Sequence, residues 1–177
     1  PGASGGRSAE SEFDFTPGAQ GVWKVVEREI NLSLIQAARL SRGIEMPAFF
    51  AIHRPAFQRN CVVYIGPEHG RDSRKNLNEK DSRHKPRHEF FTLGQCRRIV
   101  DVMLSGPDER LDLIIRERLA GSLPGDFMTN WRDLERIRND ASHVAPLTRR
   151  DYELTYDLGL NSELLTPLMR LKSTLCR

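Results

Sequence analysis

Apolar residues recur at three- and four-residue steps in several stretches of this chain, separated by one long polar run. From about Gly21 to Ser41, Trp23, Val26, Ile30, Leu34 and Ala37 form a single stripe, widened by Val22, Val25 and Leu32. That period predicts an amphipathic helix with one buried face. Gly43 stands where a left-handed C-terminal cap belongs, and Pro47 cannot continue a helix. Residues 48–66 are apolar without a helical period. Within them, Cys61-Val62-Val63-Tyr64-Ile65 is β-branched and suits a short strand or an extended packed segment.

Beyond the polar run, Thr92 and Gln95 have the spacing of a capping box. They open a helix through Leu93, Cys96, Val100, Met103 and Leu104, ended by Gly106. Asp108 caps the next, with Leu111, Ile114, Ile115 and Leu119 inward and Gly121 beyond. After a Pro124-Gly125 turn, a fourth helix runs from about Asn130 to Ala145 on the stripe Trp131, Leu134, Ile137, Ala141 and Val144. Pro146 halts it, because a residue before proline is pushed out of the helical region. Thr148 and Asp151 repeat the cap spacing before a helix in which Tyr152 and Tyr156 are one turn apart. Gly159-Leu160-Asn161 interrupts it, and Leu164, Leu168, Leu171 and Leu175 stripe the last helix. No repeat at solenoid spacing is present. The pattern predicts an all-α protein: an up-and-down helical bundle of five to six helices with one long polar insertion.

Residues 1–20, rich in Gly, Ser, Ala and Pro, read as a flexible leader or linker, with the helical domain at 21–177. Such a leader suits a piece tethered to other domains of a longer protein. The polar run 67–88 holds seven Lys/Arg and four Asp/Glu, an excess equal to the net +3 of the whole chain. It reads as a mobile basic insertion able to meet a polyanion, with Lys80, Arg83, Lys85 and Arg87 as RNA-binding candidates. It lacks interleaved aromatics, so it is no base-stacking platform.

The 177 residues suit one domain with a real core. No apolar run approaches the length of a membrane span, and no secretory signal pattern opens the chain. Cys61, Cys96 and Cys176 are too few and too scattered for a disulfide framework and read as buried thiols of a cytoplasmic protein. Of the 27 basic residues, 22 are Arg and 5 are Lys, a mild lean toward phosphate binding. His84 and His88 have ligand-like spacing but sit in the polar run without a third ligand, so no metal and no cofactor are expected.

The candidate chemistry lies in Arg138-Asn139-Asp140-Ala141-Ser142-His143. Asn139 and His143 share a helix face, whereas Arg138 and His143 are separated by about 140° around the axis. That geometry favours a site completed by another surface. An imidazole at a helix end can act as general acid or base near neutral pH, and a guanidinium can neutralise a phosphate. Arg136 beside the motif is a second phosphate-contact candidate.

The segment resembles the signature of the HEPN superfamily: an Arg, commonly followed by Asn, Asp or His, and a His separated from the Arg by four to six residues. Here Arg138, Asn139 and His143 match, with four residues between Arg and His. The Trp131-to-Val144 stripe, the Pro146 stop, the Thr148–Asp151 cap, the long opening helix and Thr92-Leu93-Gly94 fit the same resemblance. It covers residues 21–175 in helix order, and its specific part is six residues long.

The resemblance implies an α-helical bundle forming a two-fold dimer, with two Arg-His motifs facing each other across a cleft. It also implies a metal-independent endoribonuclease in which the ribose 2′-hydroxyl attacks the adjacent phosphate. His143 then moves protons, Arg138 holds the phosphate and Asn139 orients the pair. Modules of this kind serve prokaryotic antiviral defence or toxin–antitoxin systems, where an antitoxin is a further partner. Some have lost activity and serve as dimerisation or RNA-binding modules.

Overall fold

The computed structural model describes residues 13–44, 62–68, 71–77, 91–105, 109–119, 123–143, 145–161 and 164–175. The protein is mainly α-helical, with one small two-stranded antiparallel sheet. The sheet departs from an all-α reading and realises the strand suggested by the β-branched run. Among the described residues no helix is long and apolar enough to cross a membrane.

Helix α1 spans Thr16–Leu32. It starts inside the stretch that reads as a leader, because Pro17 fits a helix's first turn and Asp14 Oδ1 accepts the Thr16 N–H at 2.9 Å. Ala19 is already buried. Residues 1–12 of that stretch lie outside the described residues. Of the stripe, Val22, Trp23, Val26 and Ile30 are buried, but Val25 is exposed.

The opening helix is not continuous. Ser33 leaves helical geometry, and α2 resumes at Leu34–Ser41. The Ser33 hydroxyl donates to the Glu29 carbonyl at 2.5 Å, and the Ser33 N–H turns to the Ile30 carbonyl at 3.3 Å. A serine that bonds back onto the preceding turn competes with the helix ladder. The apolar stripe continues across the break, with Leu34, Ile35, Ala37 and Ala38 buried. Gly43, at φ +67°, closes α2 as a left-handed cap. Its N–H donates to Leu40 O at 2.9 Å and that of Ile44 to Arg39 O at 3.0 Å, the paired bonds of a Schellman motif. Pro47 lies outside the described residues.

Strands β1 (Val62–Glu68) and β2 (Arg71–Asn76) form a hairpin. Its register shifts between Tyr64 and Pro67, where Gly66 has φ +82°. Val63, Ile65 and Leu77 are buried, so the hairpin joins the core through one face. The Tyr64 hydroxyl donates to Asp72 Oδ1 at 3.0 Å across it. The first part of the polar run is therefore paired backbone rather than a mobile insertion. Residues 78–90 lie outside the described residues.

Two side chains fasten the ends of that interval. Arg39, almost wholly buried, donates from Nε to Leu77 O at 2.6 Å. Asn31, also buried, donates from Nδ2 to Phe91 O at 2.9 Å and accepts the Phe91 N–H at 2.9 Å.

Helix α3 spans Leu93–Ser105 and opens as its spacing predicts. Thr92 N donates to Gln95 Oε1 at 3.2 Å, and Gln95 N donates to Thr92 Oγ1 at 3.4 Å. Helix α4 spans Glu109–Leu119, α5 Phe127–His143, α6 Arg149–Tyr156 and α7 Leu165–Leu175. Thr148 caps α6 by accepting the Asp151 N–H at 3.2 Å. A π-helical turn, Asp157–Asn161, follows α6 at the point where Gly159 breaks the apolar period.

Helix α1 contacts α2, α3, α5, α6 and α7, which makes it the central element of the core. Trp131, Phe91, Phe127, Leu168 and Leu171 are among the fully buried side chains around it. Lys172 on α7 forms an ion pair with Glu29 on α1.

Candidate functional site

Helix α5 carries the motif. Its inner face is Phe127, Trp131, Leu134 and Ile137, all buried. Phe127 meets Trp131 edge-on at 6.0 Å. The helix starts three residues ahead of Asn130, because Phe127 is itself buried and its N–H already bonds to Pro124 O at 3.0 Å. At the other end the chain is tied down from behind. Phe15 N donates to Leu147 O at 3.3 Å, and Leu147 N donates to Thr16 Oγ1 at 3.2 Å. These bonds lock the exit of α5 onto the head of α1 and so fix where His143 stands.

Arg138 is half-buried and donates from Nη1 to Asn139 Oδ1 at 3.2 Å. Asn139 is half-buried as well, and its amide braces the guanidinium. His143 is exposed at the helix end and makes no hydrogen bond or ion pair among the described residues. The structure thus joins Arg138 to Asn139 by a hydrogen bond, and among the described residues no hydrogen bond links His143 to either. Arg136 is exposed, with one long ion pair to Asp133 at 3.5 Å. Lys80, Arg83, Lys85, Arg87, His84 and His88 lie outside the described residues.

An open groove of about 270 Å³ runs beside α5, lined by Arg97, Arg132, Glu135, Arg136, Asn139 and Asp140. Arg97, from α3, donates through Nε to Glu135 Oε2 at 2.5 Å and through Nη1 to Asp101 Oδ2 at 2.7 Å. Burial alone would weaken the hold of Arg97 on its proton. The Glu135 bond and charge, with Asp101, outweigh burial and raise its proton affinity. These three charges are committed to one another. The available positive charge of the groove therefore comes from Arg132 and Arg136, with Asp140 opposing it. Arg132 has no ion pair among the described residues.

Sequence reasoning singled out Arg136 and Asn139 but missed Arg97, Arg132 and Glu135. Arg132 had a signal: it stands seven residues before Asn139 and so on the same helix face. Arg97 and Glu135 meet only through the packing of α3 on α5, which no local pattern encodes.

Among the described residues no cluster of three or more His, Cys, Asp and Glu side chains is placed to hold a metal ion. Cys96 is buried and free; burial, with the nearby Glu27 charge, pushes its thiol well above the usual range. Cys61 and Cys176 lie outside the described residues. Comparison of the chain with protein families, curated proteins and solved structures finds no match.

Chemically, one chain offers an amide-braced guanidinium that can hold an anion and a solvent-facing imidazole that can exchange a proton. They point to different sides of α5, about 140° apart by helix geometry.

Proposed function

We propose that this chain is an endoribonuclease of the HEPN type. It acts as a cytoplasmic homodimer, as the effector of a prokaryotic antiviral or toxin–antitoxin system. In this reading each copy is an up-and-down bundle of five to six helices, alone or within a longer protein, and the composite site forms where two α5 ends meet. The observation that carries the reading is the Arg138–Asn139 hydrogen bond one turn before an exposed His143.

The reaction needs no bound cofactor by the same resemblance. The imidazole of His143 takes the proton of a ribose 2′-hydroxyl. The oxygen attacks the adjacent phosphorus, and the bond from phosphorus to the 5′-oxygen breaks. The leaving 5′-oxygen takes a proton from the histidine of the second copy, which starts protonated. The products are a 2′,3′-cyclic phosphate and a 5′-hydroxyl. Arg138 offsets charge on the phosphate oxygens as it grows, and Asn139 keeps the guanidinium turned toward them.

The test is to incubate the purified chain with mixed RNA in EDTA, beside His143→Ala and Arg138→Ala. Cyclic-phosphate ends are expected from wild type. General acid–base catalysis contributes about 10²–10⁴-fold, so His143→Ala loses at least about 10²-fold in rate. Intact RNA across pH and salt, or equal cutting by His143→Ala, overturns the reading.

A second reading is a non-catalytic HEPN-like dimerisation or RNA-binding module. One observation favours it: Arg138 already spends a donor on its own chain. It predicts that wild type forms dimers or binds RNA without cutting it.

A further inference from the structure

Helix α5 presents Arg132, Arg136, Asn139 and His143 at successive spacings of four, three and four residues. At 100° per residue these positions fall within an arc of about 60°, and they extend over roughly 16 Å of helix. Three of the four line the groove, and the fourth stands exposed at the end of the same stripe. Arg138 lies about 120° away from Arg132 around the axis and belongs to a different side.

We infer that this stripe is a track for the phosphodiester backbone of single-stranded RNA, leading to His143. The inference deepens the ribonuclease reading by naming how substrate reaches that residue. Arg132 and Arg136 each hold one phosphate, and the Asn139 amide NH2 donates to a neighbouring backbone oxygen. The guanidinium fork matches phosphate oxygens with two parallel donors, which an amine cannot do. One line of positive charge on one helix face serves one strand; a duplex presents two lines of phosphates.

The carboxylates in the groove fit this use. Glu135 is occupied by Arg97 and does not compete for Arg132 or Arg136. Asp133 holds Arg136 only at 3.5 Å between exposed side chains, an ion pair that a phosphate readily replaces. Asp140 has no ion pair among the described residues and repels a phosphate placed off the track.

The experiment measures binding rather than cleavage. The His143→Ala chain is titrated against a labelled oligouridylate by fluorescence polarisation across a potassium chloride series. Arg132→Ala/Arg136→Ala is made in that background, with Arg150→Ala on α6 as a control outside the groove, and circular dichroism checks folding. For single strands each neutralised phosphate contributes about 0.7 to the slope of log K against log salt. The double variant is therefore expected to lower that slope by about 1.4 and to lose at least about tenfold in affinity at low salt. Asp140→Asn is expected to tighten binding.

An unchanged slope and affinity in the folded double variant overturns the track. So does absence of oligouridylate binding, or preferred binding of an RNA duplex or an acidic peptide at the same arginines. The two proposals fail separately. RNA binding that depends on Arg132 and Arg136 without cleavage by wild type removes the nuclease and leaves the track. Cleavage with binding indifferent to both arginines removes the track and leaves the nuclease.

Discussion

Gly94 and Glu135 stand so close that a Cβ on Gly94 would lie 2.6 Å from Glu135 Oε1. The missing side chain on α3 is what lets the carboxylate sit beside that helix and receive Arg97. Gly94→Ala pushes Glu135 away. The substitution gains about 0.5–1 kcal/mol of helix propensity but loses a hydrogen bond between charged groups, about 1.5–3 kcal/mol. Net destabilisation of about 1 kcal/mol is expected in urea unfolding. With Glu135→Ala already present, Gly94→Ala should instead be neutral or stabilising, since the clash is gone.

A second close approach positions the π-helical turn. A Cβ on Gly159 would lie 2.3 Å from Val22 Cγ1 and 3.5 Å from Val26 Cγ2. Val22 is buried, and its branched side chain has few rotamers to escape into. Gly159→Ala is expected to cost about 1–3 kcal/mol by overpacking. Adding Val22→Ala should restore part of that loss, and a double-mutant cycle in chemical denaturation reads the coupling.

Asn31 is the next case, because its amide serves both ends of one buried peptide neighbour. Asn31→Ala leaves the Phe91 N–H without its acceptor, while Phe91 O loses the amide donor but keeps the Cys96 thiol at 3.4 Å. An unmet buried donor costs about 1–3 kcal/mol, and a loss in that range is expected. Asn31→Asp keeps the acceptor for Phe91 N but turns a carboxylate toward Phe91 O and Glu27 O, which now accept from Nδ2. It too should lower the unfolding midpoint near neutral pH. A variant as stable as wild type would show that this link does not hold the interval's end.

Cys96 makes stability depend on alkaline pH. Burial, then the Glu27 charge, raises its thiol in the folded state. The unfolded thiol ionises near pH 8.5. Above that pH the unfolded chain has lost a proton that the folded chain keeps, so unfolding is favoured as pH rises. The contribution is fully present below about pH 8.5 and falls by about 1.4 kcal/mol per pH unit above it. Urea unfolding at pH 7.5 and 9.5 should show a steeper loss for wild type than for Cys96→Ala. Equal losses would count against this account.

What the sequence reveals depends on how local the cause is. The caps at Thr92–Gln95 and Thr148–Asp151 and the Gly43 stop use residues within one turn of each other, and the structure places all three as the spacing predicts. The break at Ser33 is hidden because the apolar stripe runs on through it. The strand Arg71–Asn76 is hidden because backbone pairing to β1 holds its polar residues in place, rather than an alternating apolar face. In the candidate site, Arg138, Asn139 and His143 stand out as a local motif. The Arg97–Glu135 pair arises where two helices pack, and its members are far apart in sequence.

The bonds from Arg39 to Leu77 and from Asn31 to Phe91 tie the first two helices to backbone points fourteen residues apart. Asn31 belongs to α1 and Arg39 to α2, on either side of the break at Ser33. The kink at Ser33 is thus pinned from outside the helix: a change of angle between α1 and α2 has to drag Leu77 and Phe91 apart or together with it.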